Sequence, residues 1–261
     1  MMTGRILFTG FRGTRNASGL LAEQLSGDCC LLTNSFAGLE RDIEAISREA
    51  FDYALRSISQ FAISDQKRTD DELFALFFEI SGRLFSEAKH GLHTIGEVME
   101  LYPAEFCARA GFPDVSVEPF KHSFRAAWGQ THTLVHGAKE LLTYLRAKGY
   151  RLFAASNSFG HLQRSRLEKA GILSYFEDTY ISMDIGYDKP DIRFFEEALR
   201  RCGLQANEVV MIGDSMTADI LGAQNAGISA IFFDRENGKS PTTGDQSLIT
   251  IHSLSELEGL L

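Results

Sequence analysis

From Leu134 onward, short apolar runs alternate with stretches of helical periodicity, the pattern of strands and helices taking turns in a mostly parallel sheet. The spacing predicts a helix from Gly137 to Lys148, with Leu141, Leu142 and Leu145 on one face and Gly149 as its stop. A strand over Arg151 to Ala155 follows, then a helix over His161 to Ala170 ended by Gly171, a strand over Thr179 to Met183, and a helix opened by Pro190 that runs to Cys202. Val209 to Ile212 reads as the next strand, Thr217 to Ala226 as its helix with Gly227 as the stop, and Ser229 to Phe233 as a further buried strand. Gly238 to Gly244 has the composition of a surface loop. Ser253 and Glu256 stand at capping-box spacing ahead of Leu257 and Leu260, which predicts a short closing helix.

The preceding stretch, 19–130, lacks this strand–helix rhythm and is mostly helical in pattern. Helices are expected over Phe36 to Ser59, over Thr69 to Lys89, and from Thr94 onward, the last two opened by the capping boxes Thr69/Glu72 and Thr94/Glu97. The stripe Phe74, Phe77, Phe78 and Phe85 reads as helical-bundle core. The fold class is therefore α/β, with a core domain from residues 1–18 and 131–261 and a helical insertion over 19–130. In that division the first strand is Ile6-Leu7-Phe8.

The net charge of −9 argues against general binding of nucleic acid, which draws on clustered Lys and Arg. No apolar run approaches the ~20 residues of a membrane helix, and the short Ile6-Leu7-Phe8 run after Arg5 makes no secretory core, so no membrane association and a cytoplasmic location are expected. Cys29, Cys30, Cys107 and Cys202 have neither metal-ligand spacing nor the density of a disulfide scaffold, and are expected to be reduced and mostly buried.

Parallel strands deliver their carboxyl ends to one edge, where ligands bind in α/β sheets. Four segments reach that edge in this reading: Gly10-Phe11-Arg12-Gly13-Thr14, Ser156-Asn157-Ser158, Lys189-Pro190, and Gly213-Asp214-Ser215 through Asp219. Ser156 and Asn157 offer neutral donors to phosphate oxygens, and equally suit a turn or a helix cap. Lys189 adds a point charge for a phosphoryl group. Asp214 and Asp219 are spaced so that one can meet Mg²⁺ while the other orients water or pairs with Lys189, ahead of a trailing Gly222-Ala223-x-x-Ala226-Gly227. A single capping acid or Ser215 is the simpler alternative for this turn.

Ser156-Asn157, Lys189-Pro190 and Gly213-Asp214-Ser215-x-x-x-Asp219 resemble three ordered motifs of the haloacid dehalogenase (HAD) superfamily. Phe159-x-x-Leu162-Gln163-x-x-Arg166-Leu167 and Tyr175-Phe176-Glu177 resemble its branch of pyrimidine nucleotidases and N-acylneuraminate-9-phosphatases. The resemblance implies a HAD-like Rossmannoid parallel-sheet core with an inserted helical cap, a phosphatase-like activity, Ser156, Asn157 and Lys189 as phosphate-binding residues, and Mg²⁺ at Asp214 and Asp219. It also implies that an Asp at the end of the first strand attacks phosphorus while an Asp two positions later acts as acid and base. Aligned on Gly10-Phe11-Arg12-Gly13-Thr14, those positions hold Gly10 and Arg12, and glycine cannot form an aspartyl-phosphate. At ~4 Å and an effective dielectric of about 20, Arg12 and Asp214 attract by about 4 kcal/mol before desolvation, so Arg12 is expected to weaken or displace Mg²⁺.

Ile6-Leu7-Phe8-Thr9-Gly10-Phe11 and Asn16-Ala17-Ser18 resemble the opening of pyroglutamyl peptidases, though the later Glu, Cys and His segments of that pattern are missing. Under this second resemblance Gly10 and Arg12 belong to no HAD motif, and Cys29 to Thr33 is a strand rather than cap. The expected function is a catalytically impaired, phosphatase-like scaffold that binds a small phosphorylated ligand or a protein partner. The alternatives are an active Mg²⁺-dependent phosphatase of a small phosphorylated metabolite, and a platform whose helical insertion is the interaction module.

Overall fold

The computed structural model describes residues 29–33, 43–59, 68–89, 92–112, 116–129, 134–234 and 248–261. Six parallel strands form one sheet in the order β3-β2-β1-β4-β5-β6. They are β1 Cys29–Thr33, β2 Arg151–Ser156, β3 Asp178–Ile181, β4 Val209–Gly213, β5 Ser229–Phe233 and β6 Ile249–Ile251. In β1 Leu32 lies opposite Ala154 on one side and Ile212 on the other, and Thr33 opposite Ala155. The strand thus sits inside the sheet, within the span 19–130 read above as helical insertion. That reading is corrected at this point: β1 is core, and its apolar residues are held by backbone pairing to strands far along the chain. The expected strand at Ile6-Leu7-Phe8 falls outside the described residues.

Alternation in the strands sorts side chains between two cores, as the period of two requires. Leu152, Ala154, Val210 and Ile212 face Leu141, Leu142 and Leu145 of helix α5 (Ala138–Ala147) and the closing turn, whose Leu257 is fully buried. Phe153, Ala155, Val209 and Met211 face Phe194, Phe195 and Ala198 of helix α8 (Ile192–Cys202). The closing segment is a 3₁₀ helix, Leu254–Gly259, and its Ser253/Glu256 capping box is formed. Between the cores, helix α6 (Gly160–Lys169) follows β2 and a short helix α7 (Ser182–Ile185) follows β3.

Four helices lie between β1 and α5: α1 Ile43–Ser59, α2 Asp70–Lys89, α3 Ile95–Ala110 and α4 Glu118–Trp128. Helix α3 starts where Thr94 accepts from the Glu97 amide and Glu97 accepts from the Thr94 amide, and it stops at Gly111 in the left-handed region. Phe51 is the hub of this unit, with the rings of Phe74, Phe77, Phe106 and Phe120 at 5.5, 5.0, 5.4 and 6.0 Å. Phe74 and Phe77 are buried as expected, whereas Phe78 and Phe85 are 37% and 38% exposed and lie on the flank of the bundle. The unit meets the core at Arg125 of α4, whose guanidinium stands 4.7 Å from the ring of Phe159 just before α6.

Among the described residues no helix is long and apolar enough to cross a membrane. Cys107 and Cys202 are buried free thiols, as expected.

Candidate functional site

The carboxyl edge of the sheet gathers three of the four expected segments. Gly10 and Arg12 lie outside the described residues, and the strand between β2 and β4 ends instead at Thr33.

Ser156 closes β2 and is 1% exposed, yet among the described residues its Oγ has no hydrogen-bond partner. A buried hydroxyl left unsatisfied costs about 1–3 kcal/mol, a cost that a ligand oxygen at this edge would remove. Asn157 reaches across to a second loop. Its Nδ2 donates to the Lys189 carbonyl at 2.8 Å while its Oδ1 accepts from the Lys189 amide at 2.8 Å. Both ends of the side-chain amide thus bond the Lys189 backbone, so Asn157 places that residue. Sequence spacing had no means of showing this, because the two residues come from different loops.

Lys189 Nζ donates to Asp219 Oδ1 at 2.7 Å and to the Ala155 carbonyl at 3.0 Å. Ala155 is the register partner of Thr33, so the ammonium lies at the level where β1 ends. Each side chain of the Lys189–Asp219 pair is 4% exposed. Asp219 Oδ2 accepts from the Ser215 amide at 3.0 Å, so both of its oxygens are engaged. Burial raises the Asp219 pKa above the ordinary carboxylate value; the charge of Lys189 opposes that rise and Asp214 adds to it. Asp219 is therefore the partner of Lys189, one of the two roles the spacing left open, and Asp214, half-buried at the first position after β4, supplies the other acid.

The turn after β4 is wound as a π-helix over Met216–Leu221, with Ile220 N bonded to the Ser215 carbonyl, and continues into helix α9 (Gly222–Asn225). Ser215 caps it by accepting from the Ala218 amide at 3.2 Å. Gly222 lets this segment close on Lys189-Pro190: a Cβ there would stand 3.0 Å from Pro190 Cα and 2.7 Å from the Phe195 ring. Its place in the trailing glycine pattern was visible in the sequence, but this contact was not.

The arrangement can therefore present a charged ammonium, fixed at both its backbone and its tip, beside a buried hydroxyl and one acid. Among the described residues no group of three His, Cys, Asp or Glu stands close enough to hold a metal ion.

The pattern of the haloacid dehalogenase-like hydrolases matches residues 38–227, well over half of the chain. A glyceraldehyde 3-phosphate phosphatase of Methanothermobacter thermautotrophicus is 46% identical over 92 residues, which cover 35% of this chain and 41% of that protein. The pyrimidine 5'-nucleotidase YjjG of Escherichia coli is 35% identical over 150 residues, covering 56% of this chain and 66% of that protein, in keeping with the nucleotidase branch expected from the motifs. The chain spans between 41% and 66% of the length of these curated relatives. The solved structure of the HAD-hydrolase YfnB of Bacillus subtilis, described as bound to magnesium, superposes with a TM-score of 0.70 at 24% identity, over 88% of this chain and 96% of that one. The α/β core with its helical cap is thus the HAD fold, and the chain belongs to the haloacid dehalogenase-like hydrolase family.

Proposed function

We propose that the chain holds the phosphoryl group of a small phosphorylated ligand at the carboxyl edge of its sheet and is impaired as a phosphohydrolase. The observation that carries this reading is the buried Ser156 Oγ, without a hydrogen-bond partner among the described residues, beside a lysine fixed by three separate hydrogen-bonding groups. Ser156 donates its hydroxyl proton to a phosphoryl oxygen. Lys189 uses two of its three N–H donors on Ala155 and Asp219, and the third serves the same anion. Asn157 positions Lys189, and Asp219 is its counter-ion. The core that carries these groups is 29–33 and 134–261, with 43–128 as the cap.

Impairment follows from the end of the central strand. Where the family mechanism requires a carboxylate to attack phosphorus, β1 ends in Thr33, and two positions on stands Ser35. A threonine hydroxyl is a weak nucleophile unless a base takes its proton. Enzymes reach accelerations up to ~10²¹ on phosphate monoesters, so losing the attacking carboxylate and the acid together removes most of what makes turnover visible.

Calorimetric titration of the full chain with inorganic phosphate tests the binding, and an aryl phosphate assay with Mg²⁺ tests the impairment. Ser156→Ala should weaken phosphate binding by roughly tenfold, the equivalent of one good hydrogen bond to an anion. Unchanged binding in that variant refutes the site. The second reading, an active phosphatase, is favoured by the names of the relatives and by the intact Lys189–Asp219 pair. Robust turnover by the unaltered chain that Asp214→Asn abolishes would establish it.

A further inference from the structure

The anion site described above and the metal ion of the family make different demands on the same edge of the sheet. A hard divalent cation in a phosphate site is held by carboxylate oxygens together with the phosphate itself. Asp219 is committed to the protein, since Lys189 Nζ and the Ser215 amide each bond one of its two oxygens. Asp214 supplies one carboxylate. The end of β1, where the family mechanism places its second, lies alongside: Leu32 is opposite Ile212, and Thr33, the next and last residue of the strand, comes level with Gly213, one residue before Asp214. Threonine brings no charge there. β1, Cys29–Thr33, holds no acid. Among the described residues the donor set therefore does not fit the family's ion.

We infer that this chain binds a phosphate dianion without a divalent cation, its charge met by Lys189 and its oxygens by Ser156. The inference rests on the proposed phosphate site and adds that Thr33, rather than Gly10 or Arg12, is the position at which metal dependence was given up. Lys189 remains available to the anion because its own counter-ion, Asp219, is tied to the protein on the far side. An ion at Asp214 would have to be held almost wholly by the ligand and water.

Two titrations of the full chain decide this, one with Mg²⁺ alone and one with inorganic phosphate in chelator or in excess Mg²⁺. The expected result is no saturable Mg²⁺ binding, and phosphate dissociation constants that agree within about twofold between the two conditions, a difference of less than half a kcal/mol. Thr33→Asp should create a saturable Mg²⁺ site and make phosphate binding tighter by roughly tenfold when Mg²⁺ is present. Mg²⁺-enhanced phosphate binding of tenfold or more (~) in the unaltered chain would overturn the inference while leaving the phosphate site standing. The same enhancement removed by Glu40→Gln would overturn it too, by identifying a carboxylate that reaches the site from beyond Leu39. Failure to bind phosphate under either condition would instead overturn the proposed function. The measurements on the unaltered chain keep the inference open to refutation even if Thr33→Asp does not fold.

Discussion

Replacing Lys189 by methionine removes the cation from a pair in which each side chain is 4% exposed, leaving Asp219 buried with only the Ser215 amide as a hydrogen-bond donor to its oxygens. Breaking a buried pair by deleting one partner costs about 3–5 kcal/mol, mostly from the stranded charge. At ~2–4 °C per kcal/mol for a chain of this size, the midpoint of thermal unfolding should fall by roughly 6–20 °C. The loss should also depend on pH. The Asp219 pKa is already raised by burial, and Lys189 is the main force holding it down, so the variant raises it further. Between the unfolded value of 3.8 and the raised folded value, the native state then binds more protons than the unfolded one, so stability falls as pH rises through that window. The deficit of Lys189→Met is therefore smaller at the more acidic of two pH values, such as about pH 5 against about pH 8. Urea unfolding at the two pH values measures both quantities, and the double variant Lys189→Met with Asp219→Asn should recover most of the loss at neutral pH. A deficit below about 1 kcal/mol, or one equal at both pH values, would refute the reasoning.

Gly222→Ala forces a methyl against Pro190 Cα and the Phe195 ring, so it should cost about 1–3 kcal/mol in urea unfolding and also weaken phosphate binding, because Lys189 is displaced with Pro190. Full stability with unchanged phosphate affinity would show that the close approach is not needed. Burial pushes the Cys107 thiol up to about 11, so its thiolate fraction at about pH 8 is on the order of one in a thousand, and alkylation by a maleimide should proceed only as the cap unfolds. Labelling of Cys107 at the rate of a free thiol, read by mass spectrometry, would contradict its burial.

The parts of the molecule legible in the sequence are those fixed by local chemistry. Thr94 with Glu97, and Ser253 with Glu256, form the capping boxes their spacing announces, because each is closed within a single turn. Gly149, Gly171 and Gly227 all take the positive φ that their places as helix stops suggested. The sequence reading places the first strand at Ile6-Leu7-Phe8, ahead of the loop aligned on the family motif, and makes Cys29 to Thr33 a strand only under the second resemblance. What identifies Cys29–Thr33 is its pairing with Arg151–Ala155 and Val209–Ile212, which is non-local. The strand Ile249–Ile251 escaped notice for the same reason, being three residues long and defined by its pairing to β5. At the site, Lys189 and Asp219 were readable as a pair from charge and spacing. The commitment of the Asn157 amide to the Lys189 backbone depends on two loops meeting, and no residue type announces it.

The interior position of β1 sets an order of events during synthesis. Its neighbours β2 and β4 are translated only after all four helices of the cap. The helices can bury Phe51, Phe77 and Phe106 among themselves with no help from the sheet, while five residues of strand wait without a partner on either side. A released chain ending before Arg151 would therefore carry the bundle tethered to an unpaired β ribbon, and it is that ribbon, more than the cap, that a chaperone would need to shield.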